Sequence, residues 1–161
     1  MPSWSDVSRA APSLAAAVAE RFEAHGLALM ATLRRDGSPR ISGIELLFAM
    51  DELWLGMMLR SRKADDLTRD PRFALHNATT DKQVTNGDAR ISGRAVAVED
   101  EPTVEQFRQA FQAHTGQSVP AGPFHLFRAD VGEISLIRPG GDHLKIDWWT
   151  AKQGLRSVER R

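Results

Sequence analysis

Apolar and polar positions change period several times along the chain, and each change marks an element. From Ser13 to His25 the residues Leu14, Val18 and Phe22 recur at helical spacing, with Ala15 and Ala19 beside them, and Gly26 ends the run. That pattern predicts a helix. The stretch Ser3 to Ala11, set off by Pro12, is expected to be only a short lead-in turn. Leu27 to Leu33 then switches to a compact apolar run that predicts a strand. Arg34-Arg35-Asp36-Gly37 follows, and its Asp-Gly is a strong hairpin signal. The return strand starts at Pro39, with Ile41, Gly43 and Glu45 on one side and Ser42, Ile44, Leu46 and Phe48 on the other. Met50-Asp51-Glu52 turns it into a third strand, Leu53 to Met58.

The next stretch organises the rest. Ser61 can cap a short helix that Asp70-Pro71 closes. Phe73 to Ala78 reads as a strand, and Thr79 to Asp88 as a polar segment turning at Asn86-Gly87. Ala89 to Val98 alternates clearly and ends in an acidic turn. Thr103 to His114 places Val104, Phe107 and Phe111 on one helical face. Gly116 to Pro123 must be a loop, and Phe124 to Ile137 and Leu144 to Thr150 supply the last strands, split by Pro139-Gly140-Gly141. Six or seven strands in sequential antiparallel order with flanking helices predict a mainly-β chain closed, or nearly closed, into a barrel. One domain is expected over 1–161, with 1–26 a helical lead-in and 151–161 a basic, solvated tail.

Composition narrows the chemistry. The formal net charge is zero, so the overall basic footprint of a nucleic-acid binder is missing and any basic site must be local. No apolar run approaches a membrane span, and M-P-S-W-S-D lacks the regions of a secretory signal, so the cytoplasm is the expected location. With no cysteine, thiol catalysis, disulfides and thiolate metal sites drop out. The five histidines show no paired metal spacing, so no metal is assigned.

One feature breaks a local rule. Arg60, Arg62 and Lys63 crowd the start of the short helix, where unpaired N–H groups already carry partial positive charge. A bound anion would turn that repulsion into attraction. Together with the Ser61 hydroxyl, the three cations resemble a phosphate cradle. The plainer account is a solvated helix whose cations pair with Asp65 and Asp66.

The runs D-G-S-P-R-I-S-G (Asp36 to Gly43), E-L-W-L-G-M (Glu52 to Met57), S-R-K-A (Ser61 to Ala64), D-P-R-F-A-L (Asp70 to Leu75) and I-S-G-R-A (Ile91 to Ala95) resemble the pyridoxamine 5'-phosphate oxidase-like family. These are FMN-binding split β-barrels. The resemblance implies a homodimeric oxidoreductase with FMN in a cleft between subunits and a small-molecule substrate; charge and hydropathy already argue against nucleic acid and membrane as partners. It implies that Arg62 and Lys63 contact the cofactor phosphate beside Ser61; Arg60 stands where the family often has a small residue and could replace the cation lost at Ser42 or face solvent. It maps the ring-contacting strand to Ser42 to Leu47, with Ser42, Gly43, Ile44 and Glu45 as contacts, further contacts to Gly56 and Met57, a polar ring contact to Asp88, and an aromatic cover over the partner subunit's flavin to one of the adjoining Trp148 and Trp149, with Trp149 assigned. Ser42 and Asp88 depart from the family's arginine and glutamine. The R-P-x-x-S and R-x-H segments with which the vitamin B6 oxidases hold their substrate are also missing, which argues against vitamin B6 oxidation. The deazaflavin coenzyme F-420, used by a branch of the same fold, is the alternative cofactor. Arg60, Arg40 and Lys82 could serve its acidic tail. A non-catalytic flavin- or haem-binding protein is the alternative of another class.

Overall fold

The computed structural model describes all residues, 1–161. Two helices lead in, α1 (Trp4–Ala10) and α2 (Pro12–Glu23). The expected lead-in turn is thus a helix, because Ser3 and Asp6 cap each other's backbone N–H groups in a capping box. Strands β1 (Ala28–Leu33) and β2 (Pro39–Ile44) form the hairpin. The return strand then breaks at Glu45 and resumes as β3 (Leu46–Ala49), which pairs with β4 (Glu52–Met58). After α3 (Arg62–Arg69) come β5 (Arg72–Asn77), β6 (Asp88–Ala97), α4 (Glu101–Thr115), β7 (Phe124–Pro139), β8 (Leu144–Thr150) and β9 (Gly154–Arg160).

All pairings are antiparallel, in the order β2-β1-β5-β6-β7-β4-β3, with β8 on β7 and β9 on β8. Nine strands replace the six or seven expected, and β2 and β3 are the ends of the main path, so the barrel is split rather than closed. One addition comes from the break at Glu45, and the other, β9, lies in the expected solvated tail. Its charged residues hid it, but Gly154, at φ 68°, completes a turn that folds it back along the whole of β8.

β7 is the shared strand. Its first part pairs with β4, its last part with β8, and most of its length with β6. At Ser92/Gly93 the β6–β7 register shifts, leaving Gly132 as the extra residue of a bulge. A Cβ at Gly93 would come within 1.9 Å of the Asp130 carbonyl oxygen, so the close approach needs glycine.

The main core fills the barrel with Met30, Leu53, Leu55, Leu75, Ile91, Ile134 and Leu136, and Trp4, Val7, Val18 and Phe22 of α1 and α2 close over it. A second cluster, Leu47, Trp54, Phe107 and Leu126, sits under α4. Two environments therefore flank β4. No helix is long and apolar enough to cross a membrane.

Candidate functional site

α3 starts where β4 ends, and the link is a sharp turn with Arg60 at φ 62°, left-handed for a residue with a side chain. Ser61 takes the cap position. Its carbonyl accepts from the Ala64 and Asp65 N–H groups, but its hydroxyl makes no cap bond. Arg62 and Lys63 occupy the first two helical positions, where a backbone N–H has no intrahelical acceptor.

None of Arg60, Arg62 and Lys63 forms an ion pair. The plainer account needed Asp65 and Asp66 as their partners, and Asp66 is committed elsewhere. Buried at 3% exposure, it accepts from Arg40 Nε at 2.7 Å, Arg69 Nη2 at 3.0 Å and Thr32 Oγ1 at 2.8 Å. Burial alone would raise the Asp66 pKa, but the bonds from Arg40, Thr32 and Arg69 together outweigh it and hold the carboxyl below its ordinary value. This hub fastens α3 across β1 and β2.

Lys63 fastens the other end of the helix, donating from Nζ to the Gly43 carbonyl at 2.6 Å. Its burial pushes the ammonium pKa below the usual lysine value, and two of its three N–H donors remain free of protein partners. Ser42 lies between Arg40 and Ile44 on the strand face that meets α3. Its Oγ is buried and has no hydrogen-bond partner. The Lys63–Gly43 bond thus sets the start of α3, Ser61 to Lys63, in a seam against the strand end that carries Ser42 and Gly43, with Arg60 in the turn just ahead.

Two recesses adjoin the seam. One is a polar cleft of about 960 Å³, lined by Arg34, Arg35, Arg40, Arg62 and Arg69 with Asp36, Asp65, Asp66, Thr68 and His125. The arginines of the hairpin turn, read from sequence only as part of a turn, therefore face the same space as Arg62. Their doublet was the available signal. Arg40, a candidate for a cationic groove, lines this cleft with its Nε bonded to Asp66. The other recess is an apolar cavity of about 240 Å³ between α4 and the β3–β4 hairpin.

That cavity takes in Glu45, Gly56 and Met57 from the expected ring contacts. A Cβ on Gly56 would stand 3.3 Å from the Phe107 ring, so this glycine also lets α4 settle on β4. Met57 turns mostly into the main core, and Ile44 is buried there too. Sequence reading missed the contribution of α4 to this recess. The shared spacing of Phe107 and Phe111 was the signal.

Two expected site residues lie elsewhere. Asp88, at the start of β6, is separated from β2 by β1 and β5, three strand spacings of about 4.8 Å each. There it accepts from Thr79 Oγ1 and lies 3.7 Å from His76 Nε2. Trp149 corrects the expected aromatic cover. It packs in the main core at 5% exposure, because β8 pairs it with Ile134, while Trp148 takes the opposite face.

A family model described as pyridoxamine 5'-phosphate oxidase matches residues 14–138. Among curated proteins, none matches the chain by sequence. Solved structures similar to it include PhzG from Burkholderia lata 383, in complex with tetrahydrophenazine-1-carboxylic acid. It is 17% identical with a TM-score of 0.67, over 100% of this chain and 96% of that one. A pyridoxamine 5'-phosphate oxidase-related, FMN binding protein from Nostoc punctiforme PCC 73102 is 16% identical with a TM-score of 0.61, over 94% and 96%. Campylobacter jejuni ChuZ is 14% identical with a TM-score of 0.72, over 91% and 63%. At such identities the structures speak for the fold, the same open antiparallel barrel, while the family match spans well over half of the chain from α2 to β7. On both grounds the chain belongs to the pyridoxamine 5'-phosphate oxidase-like family.

Proposed function

We propose that the protein binds FMN, with the phosphate at the start of α3 and the ring along Ser42 to Glu45, and works as a flavin-dependent oxidoreductase on a small molecule in the cytoplasm. The observation that carries this reading is the set of three cations, Arg60, Arg62 and Lys63, left without a carboxylate around unpaired N–H groups and an idle Ser61 hydroxyl. A phosphate would satisfy all of them at once. Bound FMN would supply the hydride chemistry itself. Arg62 and Lys63 would hold the phosphate, and the Lys63 bond to Gly43 would keep the helix start against the strand.

The proposed assembly is a homodimer. Leu27, Leu29 and Ile41 are exposed on the outer face of β1 and β2, and Ile41 is 73% exposed. Asp88 and His76 belong to the same face farther along the sheet. A second copy placed there would cover the apolar patch and complete a site that one chain leaves open.

The cleft favours a second reading. Arg34, Arg35 and Arg62 share it and have no carboxylate partner, which suits the acidic oligoglutamate tail of coenzyme F-420. Titrating the protein with FMN, riboflavin and F-420 and following fluorescence quenching separates the two. Tight FMN with weak riboflavin binding supports the cradle and the flavin. Tight F-420 binding keeps the cradle and changes the cofactor. Binding of neither removes the reading.

A further inference from the structure

The apolar cavity lies apart from the cations at the start of α3, walled in part by the second core cluster. It lies behind Glu45, where β2 breaks into β3, and opens past Met58 and Leu59, the residues that lead to Arg60 and the start of α3. Its walls are chiefly apolar. Phe107 and Phe111 come from α4, Trp54 from β4, and Val119 from the loop ahead of β7. Trp54 Nε1 is already engaged with the Ala49 carbonyl at 2.8 Å.

The charges around it decide what can enter. No lysine, arginine or histidine lines the cavity, and its one ionisable group is Glu45 at the edge. The nearest cation of α4, Arg108, is spent on the carbonyls of Pro120 and Gly122 and on the face of the Phe124 ring. A phosphate or sulfonate would lose its water there and gain no partner. The volume, about 240 Å³, falls below the roughly 300–1,000 Å³ of sites for drug-sized ligands. Met58 is 80% exposed at the mouth, an apolar side chain left in water beside an apolar hollow.

We propose that this cavity takes an uncharged, flat, apolar molecule of one or two rings. Calling that molecule a substrate rests on the flavin reading above, but its binding does not.

The test is isothermal titration of the full chain with menadione, an uncharged two-ring quinone, and with pyridoxine 5'-phosphate as the charged one-ring comparator. Both are run without cofactor and after saturation with FMN. The chain has no cysteine for menadione to alkylate. Saturable menadione binding at least tenfold tighter than the phosphate is expected. Met58→Glu and Val119→Asp, both at the cavity wall and outside the main core, should each weaken it at least tenfold, and Val119→Asp, on the loop ahead of β7 rather than on the strand of the expected ring contacts, should leave the FMN titration unchanged. Quenching of tryptophan fluorescence by menadione should largely vanish in Trp54→Phe. No saturable menadione binding, equal binding of the phosphate, or unchanged binding in both wall variants would overturn the proposal. Failure of FMN to bind while menadione binds would remove the cradle reading and leave this one standing.

Discussion

Replacing Arg62 by alanine and, separately, Lys63 by methionine tests the cradle at its centre. Methionine keeps the apolar stem of Lys63 in the seam and removes only the ammonium, including its bond to the Gly43 carbonyl. A hydrogen bond between charged partners contributes about 1.5–3 kcal/mol. At about 1.4 kcal/mol per tenfold, each substitution should weaken FMN roughly 10- to 150-fold. The two effects should fall short of additive in the double variant, since adjacent cations share one phosphate. Arg62 is exposed, so its share should shrink at high salt, whereas the half-buried Lys63 should be screened less. The assay is flavin fluorescence quenching with FMN and with riboflavin, alongside urea unfolding of each variant. Riboflavin carries no phosphate, so its affinity should stay within a few-fold of the parent value. Equal losses for both ligands would mean that the substitutions deform the seam rather than remove phosphate contacts. Unchanged FMN affinity would put the phosphate elsewhere.

Asp66→Asn should destabilise the fold by about 3 kcal/mol, the lower end for breaking a buried ion pair, because Arg40 and Arg69 keep partial solvent contact. Urea unfolding against pH carries the sign. The folded carboxyl has the depressed pKa, so its contribution is full above the unfolded value of about 3.9 and fades as pH falls through the folded value. Asp66→Asn should flatten that acid limb, and an unaltered limb would mean that other carboxylates produce it. Gly93→Ala should cost about 3 kcal/mol or more, since its Cβ meets backbone rather than a movable side chain, and near-parent stability in urea would show that the bulge can shift. Ile41→Glu should leave a folded monomer by light scattering at micromolar concentration, and a persistent dimer would place the interface on another face.

Local signals in the chain carried a good deal of this. The helical spacing of Leu14, Val18 and Phe22, the Asp36-Gly37 hairpin and the Asp70-Pro71 stop needed only neighbours within one or two turns, and α2, β1, β2 and α3 lie where they indicated. Short-range chemistry also told against the pattern once, at Ser3 and Asp6, where a reciprocal cap outweighed the separation by Pro12. β9 was hidden because an exposed edge strand has almost no apolar alternation to show. Leu155 is exposed, and what orders the segment is its ladder with β8.

The sequence by itself determined that cations, a serine at the cap position and unpaired N–H groups meet at one helix start, since those residues are contiguous from Arg60 to Lys63. Only the tertiary structure decided that the cations stay free of carboxylates. Asp66 is three residues from Lys63 along the chain, yet Arg40 and Thr32 reach it from β2 and β1 and fill its oxygens. The same holds for Trp149, whose burial follows from its pairing with Ile134, and for the cavity under α4, where Gly56 lets Phe107 settle on β4. Adjacent residues fix which groups are present, whereas competition among groups far apart in sequence for the same oxygen or the same space is settled only when strands take their register.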